Sequence, residues 1–255
     1  MSEFDGRVAI VTGAAGGLGQ EVVRRFVAAG AHVVATDIGA VDTIPGQLLS
    51  HPADVTDAAQ VDGVVARAID EFGKIDVLVN NAAVGSHTPP LDLDPQDWRR
   101  VLDVSLTGYF IFARAVGQHM VRRRRGSIIN LSSIAGSKAI GRGNLPYSVA
   151  KAGVEQLTRE LALEWAPWNV RVNAIAPSQV STPAFKKLLA DGLVIESDVV
   201  RGIPLGRMAT VEDLTGPLMF LASDAASFVT GHVLAVDGGN LAMNAGGTIP
   251  HPPAD

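Results

Sequence analysis

Thr12-Gly13-Ala14-Ala15-Gly16-Gly17-Leu18-Gly19 is a glycine-rich stretch between a predicted strand and a predicted helix. The strand, Arg7–Val11, is a short apolar run, and the helix, Leu18–Ala29, carries its apolar residues at helical spacing. Glycines at such a junction allow backbone N–H groups and a helix N-terminus to approach a pyrophosphate group. The order of strand, turn and helix therefore predicts a dinucleotide-binding turn, whose cofactor-binding residues are Gly13, Gly17, Leu18 and Gly19.

Asp37 follows the second predicted strand, Val33–Thr36, where a carboxylate is expected to meet the ribose of a bound adenosine. A carboxylate accepts hydrogen bonds from a free 2′-hydroxyl but repels a 2′-phosphate. The nearby positions that would reverse this balance hold no Arg or Lys; they are Gly16, Gly17, Ile38 and Gly39. The sequence therefore predicts NAD rather than NADP, with a simple turn or a helix-capping role for Asp37 as the alternative.

The rest of the chain alternates short apolar runs with longer segments of helical periodicity. The later predicted strands are Ile75–Val79, Ser127–Leu131, Val170–Ile175 and Val233–Val236, and the later predicted helices are Ala58–Phe72, Pro95–Val121, Tyr147–Trp165 and Val211–Ala222. Strands that are apolar on both faces indicate a parallel sheet covered by helices on both sides. Right-handed crossovers then give a doubly wound, Rossmann-type α/β fold with ligands at the carboxyl ends of the strands.

Length and composition are consistent with a single domain over residues 1–255. The chain has 47% hydrophobic residues and no interior Pro-, Ser- or Gly-rich linker, and an α/β fold of about 250 residues can form one unit. We expect residues from about 182 to 206 to form a substrate lid. The Pro-rich tail, residues 246–255, has no periodicity and is expected to be disordered or held by a neighbouring subunit.

Charge and residue usage exclude several classes of function. The net charge of −5 provides no general attraction for nucleic acid, and the basic run Arg122–Arg125 is interpreted as the charged end of a helix rather than a phosphate or nucleic-acid patch. The absence of cysteine excludes disulfides and thiolate chemistry, and no His and acid cluster predicts a metal site. Without a signal peptide or an apolar run of about 20 residues, the chain is expected to be cytoplasmic and not membrane-bound.

Tyr147 and Lys151 are four residues apart at the start of a predicted helix, so their side chains share one face. A free tyrosine is a poor base at neutral pH, because its pKa is about 10. A lysine ammonium at ~4 Å stabilises the phenolate by about 4 kcal/mol at an effective dielectric constant near 20, which would lower the tyrosine pKa by up to about three units. Together with Ser133, which would hold the substrate oxygen, this pair suits hydride transfer between an alcohol and a carbonyl.

These motifs together resemble the short-chain dehydrogenase/reductase family. The resemblance runs from about Gly6 to Gly239 and rests on Thr12–Gly19, Asn80-Asn81-Ala82-Ala83, Ser133, Tyr147 with Lys151, and Val236-Asp237-Gly238-Gly239. It implies hydride transfer with NAD and a homo-oligomer, a dimer or a tetramer. It also implies cofactor contacts from Asp54 and Val55 near the adenine, from Asn80, Ala82, Tyr147 and Lys151, and from Pro177, Val180 and Thr182 on the nicotinamide side.

Three positions depart from the family pattern. Ser105 stands where the family usually has an asparagine that completes a proton relay, so we expect a partial substitution by its hydroxyl. The segment between Ser133 and Tyr147 is one residue longer than expected, and Ser133 is preferred over Ser132 because it directly precedes Ile134. Pro177 is followed by Ser178 instead of glycine, which is expected to reshape the wall beside the nicotinamide.

The substrate is predicted from loop residues at the carboxyl ends of the strands. Polar residues there favour a sugar, polyol or hydroxy acid, although they are equally consistent with solvated loops; they are His87, Lys138, Arg142, Asn144, Ser178 and Gln179. The expected apolar lid residues are Phe185, Leu188, Leu189, Leu193 and Val194, which would suit a packed helix as well as a flap. The expected dimer face contains Phe110, Phe112, Leu157 and Leu161. A non-catalytic NAD-binding regulator or scaffold, motivated by Ser105, is the alternative function.

Overall fold

Seven parallel strands form one sheet with helices on both faces. The computed structural model describes residues 3–41, 43, 47–141, 143–192 and 194–243. The strands are β1 (Val8–Thr12), β2 (His32–Thr36), β3 (Leu48–Ser50), β4 (Val77–Asn80), β5 (Gly126–Leu131), β6 (Val170–Pro177) and β7 (Val233–Val236). The helices are α1 (Gly17–Ala28), α2 (Ala58–Phe72), α3 (Pro95–Leu102), α4 (Gly108–Arg123), α5 (Ile134–Ser137), α6 (Leu145–Trp165), α7 (Pro183–Ala190), α8 (Glu196–Val200) and α9 (Val211–Ala222).

The strand order confirms the predicted doubly wound sheet. The order is β3-β2-β1-β4-β5-β6-β7, and every pairing is parallel. The chain winds outward from β1 to β3 and then crosses back to β4, so the winding reverses between β1 and β4. In such sheets ligands bind beyond the carboxyl ends of the strands at this switch point.

Each face of the sheet is covered by its own apolar cluster. On one face α1 and α9 pack with Phe26 and Leu218 fully buried, and on the other face α2 and α4 pack with Val64 and Phe112 fully buried. Burial of apolar surface on both faces is the main driving force for this arrangement. The central strands β1, β4, β5 and β6 are therefore buried, whereas the edge strands β3 and β7 are partly exposed.

Several element boundaries differ from the sequence prediction. The three-residue strand β3 was missed, because its pattern is too short to identify. The predicted helix Pro95–Val121 is interrupted by a π-helical segment, Asp103–Thr107, and continues to Arg123. Helix α6 begins two residues before Tyr147, with Pro146 in its first turn, where proline is favoured.

The basic run ends α4 and is engaged in ion pairs. Arg123 pairs with Asp76 at 3.0 Å and donates to the Ile75 carbonyl at 2.8 Å, and Arg125 pairs with Asp224 at 3.2 Å. These bonds join the amino ends of the strands, on the opposite edge from the glycine-rich turn. They support the interpretation of the run as a charged helix end.

None of the described helices has the length and apolar character that a membrane span requires.

The expected lid consists of two helices. Phe185 and Leu189 lie on α7 and are half-buried, whereas Val194 lies beyond it, before α8. The end of this region packs on the turn after β7, because a Cβ on Gly238 would lie 2.6 Å from Ile203 Cγ2. Leu193, Arg142 and the tail 246–255 lie outside the described residues, so the expectations for them stay predictions.

Candidate active site

The glycine-rich turn requires its glycines for steric reasons. Gly13 has a φ of +65°, and a Cβ there would lie 2.8 Å from Ala82 Cα. A Cβ on Gly19 would lie 2.1 Å from the Gly13 carbonyl oxygen, and one on Gly17 would lie 2.9 Å from Pro183 Cδ. Helix α1 begins at Gly17, next to Leu18, with no side chain capping its first turn. The bare N-terminus of α1 is therefore suited to an anionic group such as a pyrophosphate.

The loop after β4 is tied directly to this turn. The Asn81 side chain donates to the carbonyl oxygens of Thr12 and Gly13, both at 3.0 Å. The Thr12 hydroxyl accepts from the backbone N–H groups of Asn81 at 2.9 Å and Ala82 at 3.1 Å. Asn81 was not among the predicted site residues. Its position beside Asn80 at a strand end was the signal that could have identified it.

Four buried polar atoms at the carboxyl edge of the sheet have no hydrogen-bond partner within the described structure. They are Thr36 Oγ1 at the end of β2, Asn80 Oδ1 at the end of β4, and Ser178 Oγ and Gln179 Oε1 just after β6. Because buried polar atoms are usually paired, such atoms on one edge of a sheet indicate a polar ligand. Together with the bare helix N-terminus, these residues fit a nicotinamide dinucleotide.

The residues predicted at the adenosine end lie beyond β2 and before α2. Asp37 accepts hydrogen bonds from the backbone N–H groups of Ala15 at 3.0 Å and Gly39 at 3.2 Å, so its carboxylate is fixed beside the glycine-rich turn. Asp54 accepts from Thr56 through one carboxylate oxygen, and Val55 is buried against Gly108 at the start of α4.

Ser133, Tyr147 and Lys151 meet at the carboxyl end of β5. Ser133 lies two residues after β5 and caps α5, and its hydroxyl is close enough to the Tyr147 phenol to lower the pKa of that phenol. The Lys151 ammonium lies one helical turn further along α6, 5.5 Å from the centre of the Tyr147 ring. Ser132, the alternative to Ser133, points elsewhere and donates to the Lys151 carbonyl at 3.2 Å and to Glu155 at 3.2 Å.

Burial dominates the acid–base properties of this group. It lowers the pKa of Lys151 from its usual 10.5 to about 7, and it raises the pKa of Tyr147, an increase that the neighbouring Ser133 hydroxyl partly opposes. The predicted net decrease of the Tyr147 pKa is therefore wrong for this structure, because burial outweighs the effect of the Lys151 charge. The buried ammonium also donates to Leu131 and Tyr109 instead of the Tyr147 phenol. Tyr147 is a neutral phenol in this state.

Ser105 lies in the π-helical segment, fully buried, with both hydrogen bonds of its hydroxyl directed at one residue. It donates to the Val84 carbonyl at 2.9 Å and accepts from the Val84 N–H at 3.0 Å. These bonds fix the loop after β4 and leave the hydroxyl with no contact to Lys151. The predicted relay role of the Ser105 hydroxyl therefore stays a prediction.

Tyr109, which sequence reasoning missed, occupies the space beside Lys151 instead. It is 1% exposed and accepts a hydrogen bond from the Lys151 ammonium at 3.1 Å. Its backbone carbonyl accepts from Asn80, whose amide also donates to Asn130 at 3.0 Å. The signal in the sequence was available, because Tyr109 stands four residues after Ser105 and the chain has only two tyrosines.

The residues predicted on the nicotinamide side follow β6. Pro177 ends that strand, Val180 forms a bridge with Ala209, and Thr182 caps α7 by accepting from the Phe185 N–H at 3.2 Å. The start of α7 lies against Gly17, so this loop reaches the phosphate-binding turn. Among the polar loop residues, His87 and Lys138 are exposed, whereas Ser178 is buried.

Comparisons with known proteins agree with this geometry. A family model described as enoyl-(acyl carrier protein) reductase matches residues 13–240. A cis-4-hydroxycyclohexanecarboxylate dehydrogenase of Sinomonas cyclohexanicum is 42% identical over 250 residues, covering 94% of this chain and 98% of that protein. An NAD-dependent glycerol dehydrogenase of Listeria innocua is 37% identical over 239 residues, covering 91% and 93%. The structure of ligand-free Thermoplasma acidophilum aldohexose dehydrogenase matches with a TM-score of 0.88 at 33% identity, covering 98% of each chain. This chain therefore belongs to the short-chain dehydrogenase/reductase family of oxidoreductases.

Proposed function

We propose that this protein catalyses the NAD-dependent interconversion of a secondary alcohol and a ketone, with Tyr147 as the general acid and base. The observation that carries the proposal is the meeting of Ser133, Tyr147 and a buried Lys151 at the carboxyl end of β5, on the edge of the sheet that holds the glycine-rich turn. A bound nicotinamide supplies the acceptor or the donor of the hydride. The chain itself must hold the substrate oxygen and move one proton.

Tyr147 and Ser133 act on the same oxygen. In carbonyl reduction the Tyr147 phenol gives its proton to the carbonyl oxygen as the hydride arrives at carbon, and in alcohol oxidation its phenolate removes the hydroxyl proton. The Ser133 hydroxyl donates to the substrate oxygen and stabilises its developing negative charge. A protonated Lys151 stabilises the phenolate that reduction leaves behind. Because burial lowers the pKa of Lys151 to about 7, we expect the reduction rate to fall as the pH rises through this value.

NAD is the proposed cofactor because of Asp37. Its carboxylate is held at the end of β2 by two backbone N–H groups, in a position that favours a free 2′-hydroxyl and disfavours a 2′-phosphate. One of the relatives is named as NAD-dependent. We also propose that Val180, Thr182 and Pro177 hold the nicotinamide end and that residues 182–206 close over the substrate.

The substrate class that we propose is a sugar, polyol or hydroxy acid. The unpaired Ser178 Oγ and Gln179 Oε1, which follow β6 at the same edge of the sheet, offer hydrogen bonds to hydroxyl groups. Three of the similar proteins are named for a hydroxycyclohexanecarboxylate, glycerol and aldohexoses, all of which carry hydroxyl groups. We further propose a cytoplasmic homo-oligomer, a dimer or a tetramer, that acts on small molecules.

The test is the absorbance of reduced nicotinamide, measured with NAD and NADP against sugars, polyols, hydroxy acids, steroids and simple secondary alcohols. We expect turnover with NAD on hydroxylated substrates. Tyr147→Phe should abolish turnover while calorimetry shows nearly unchanged NAD binding, because only the phenolic oxygen is removed. A variant that keeps a tenth or more of the wild-type rate would contradict the role of Tyr147.

The same assay tests the alternative, an NAD-binding regulator without turnover. Tight NAD binding without hydride transfer across the whole panel would favour it. Ser105→Asn separates the two functions further. Because both hydrogen bonds of Ser105 are already made to Val84, we expect this variant not to increase turnover. A large increase would mean that the natural site is compromised.

A further inference from the structure

Tyr109 forms a closed set of hydrogen bonds with Lys151 and Leu131. The Lys151 ammonium donates to Tyr109 Oη at 3.1 Å and to the Leu131 carbonyl oxygen at 2.5 Å. Tyr109 Oη in turn donates to the same carbonyl at 3.2 Å, and its ring centre lies 4.7 Å from the ammonium. Both side chains are 1% exposed. The two acceptors of the buried ammonium are therefore a phenol and a backbone carbonyl.

No described carboxylate contacts this ammonium. The titratable groups that face it are the phenols of Tyr109 on α4 and Tyr147 on α6, while β5 contributes only the Leu131 carbonyl. The first carboxylate after Lys151 on α6 is Glu155, and it accepts from Ser132, Ser137 and Arg159 instead. A buried cation with only neutral acceptors is held in its charged form by those acceptors, so the loss of one of them is costly.

We propose that Tyr109 is a positioning residue whose hydroxyl keeps Lys151 protonated and fixed in place, with its ammonium 5.5 Å from the centre of the Tyr147 ring. Without this hydroxyl the ammonium keeps only the Leu131 carbonyl as an acceptor, and Lys151 loses its proton at lower pH. The positive charge that stabilises the Tyr147 phenolate is then present over a narrower pH range. Tyr109 itself acts as a neutral hydroxyl, because burial raises its pKa well above the usual value. The catalytic part of this inference rests on the proposed function, whereas the effect on Lys151 does not.

The first experiment measures the protonation of Lys151 directly. Tyr109→Phe keeps the ring over the ammonium and removes only the hydroxyl. The protein, with lysine side chains labelled with ¹³C, is titrated by NMR without cofactor or substrate. Lys151 is assigned by the signal missing from Lys151→Met, and the internal references are the remaining lysines, Lys74, Lys138, Lys186 and Lys187. We expect the pKa of Lys151 to be lower in Tyr109→Phe by about one unit.

Ser127→Ala is the matched control. Ser127 lies at the start of β5, is buried, and donates to the Leu221 carbonyl at 3.0 Å, so this variant also loses one buried hydroxyl but none of the bonds of Lys151. We expect it to leave the pKa of Lys151 unchanged. An unchanged pKa in folded Tyr109→Phe, or an equal decrease in Ser127→Ala, would overturn the proposal.

The second experiment measures the pH dependence of carbonyl reduction. In Tyr109→Phe the pH above which kcat falls should be lower by about one unit, which corresponds to about a tenfold loss of kcat on that limb, with little change in KM. A uniform loss of kcat at every pH would indicate a structural defect and contradict the proposal. If the wild-type protein turns over no substrate, the proposed function fails, but the NMR titration still tests the role of Tyr109.

Discussion

Asp37 is the single residue on which the cofactor prediction depends. Asp37→Ser removes the negative charge at the proposed ribose site and weakens the bond to the Ala15 N–H. We expect the KM for NAD to rise by about tenfold or more, because a hydrogen bond to a charged group contributes about 1.5–3 kcal/mol, and the preference for NAD over NADP to decrease. Steady-state kinetics with both cofactors measures this ratio. An unchanged ratio would contradict the role of Asp37.

Lys151 is expected to lower the stability of the fold that holds it. Its pKa is about 7 in the folded protein against 10.5 for a free lysine, so below pH 7 both states carry the proton and the folded state bears the whole cost of burying the charge. Between pH 7 and pH 10.5 the unfolded state binds more protons than the folded state. The destabilisation caused by the buried charge therefore declines as the pH rises.

Lys151→Met should therefore stabilise the protein by at least about 2 kcal/mol at pH 6, and by less at pH 9, while abolishing turnover. Tyr109 and Leu131 are not left unpaired in this variant, because they bond to each other. Urea unfolding at the two pH values measures the difference. If the gain in stability of Lys151→Met over the wild type were the same at pH 6 and pH 9, Lys151 would not be a buried lysine with a lowered pKa.

At the scale of elements, the packing of α4 against α6 depends on a glycine. A Cβ on Gly117 of α4 would lie 2.6 Å from Trp165 Cη2 at the end of α6. Gly117→Ala should lower the free energy of unfolding by about 1–2 kcal/mol, since overpacking outweighs the gain in helix propensity. Thermal unfolding provides the measurement.

Gly216 of α9 is the matched control for this prediction. A Cβ there would meet no described neighbour within 4 Å, so Gly216→Ala should stabilise the protein by up to about 1 kcal/mol through helix propensity alone. If both variants changed stability in the same direction, the contact between α4 and α6 would not explain the effect at Gly117.

At the scale of the whole molecule, the predicted dimer face must be partly corrected. Phe112 is fully buried in the apolar cluster of its own chain and forms no exposed surface, whereas Leu157 and Leu161 are half-buried. Phe110 on α4, with 47% of its surface exposed, remains available for contact. The helical period explains this difference, since residues two positions apart point to different faces of a helix.

Phe110→Asp should therefore shift the protein toward the monomer at micromolar concentration, because it places a charge in an apolar interface. Light scattering measures the change. Leu91→Asp, in a loop outside α4 and α6 and fully exposed, is the control and should leave the oligomer intact. A wild-type protein that is already monomeric at this concentration would contradict the proposed assembly.

The features that could be predicted from the sequence depend on residues close together in the chain. The glycine-rich turn, helix α2 and the Tyr147–Lys151 spacing each follow from local steric limits or helical period, and the bounds of α2 agree with the prediction. The strand order, the π-helical segment around Ser105 and the contact of Tyr109 with Lys151 could not be read in this way. The strand order and the contact of Tyr109 with Lys151 join residues far apart in sequence, and Ser105 in the π-helical segment bonds to Val84, 21 residues away. The geometry of all three depends on how the sheet and its helices pack. Sequence thus determined the chemical groups of the site, whereas packing determined which of them hold the charge of Lys151.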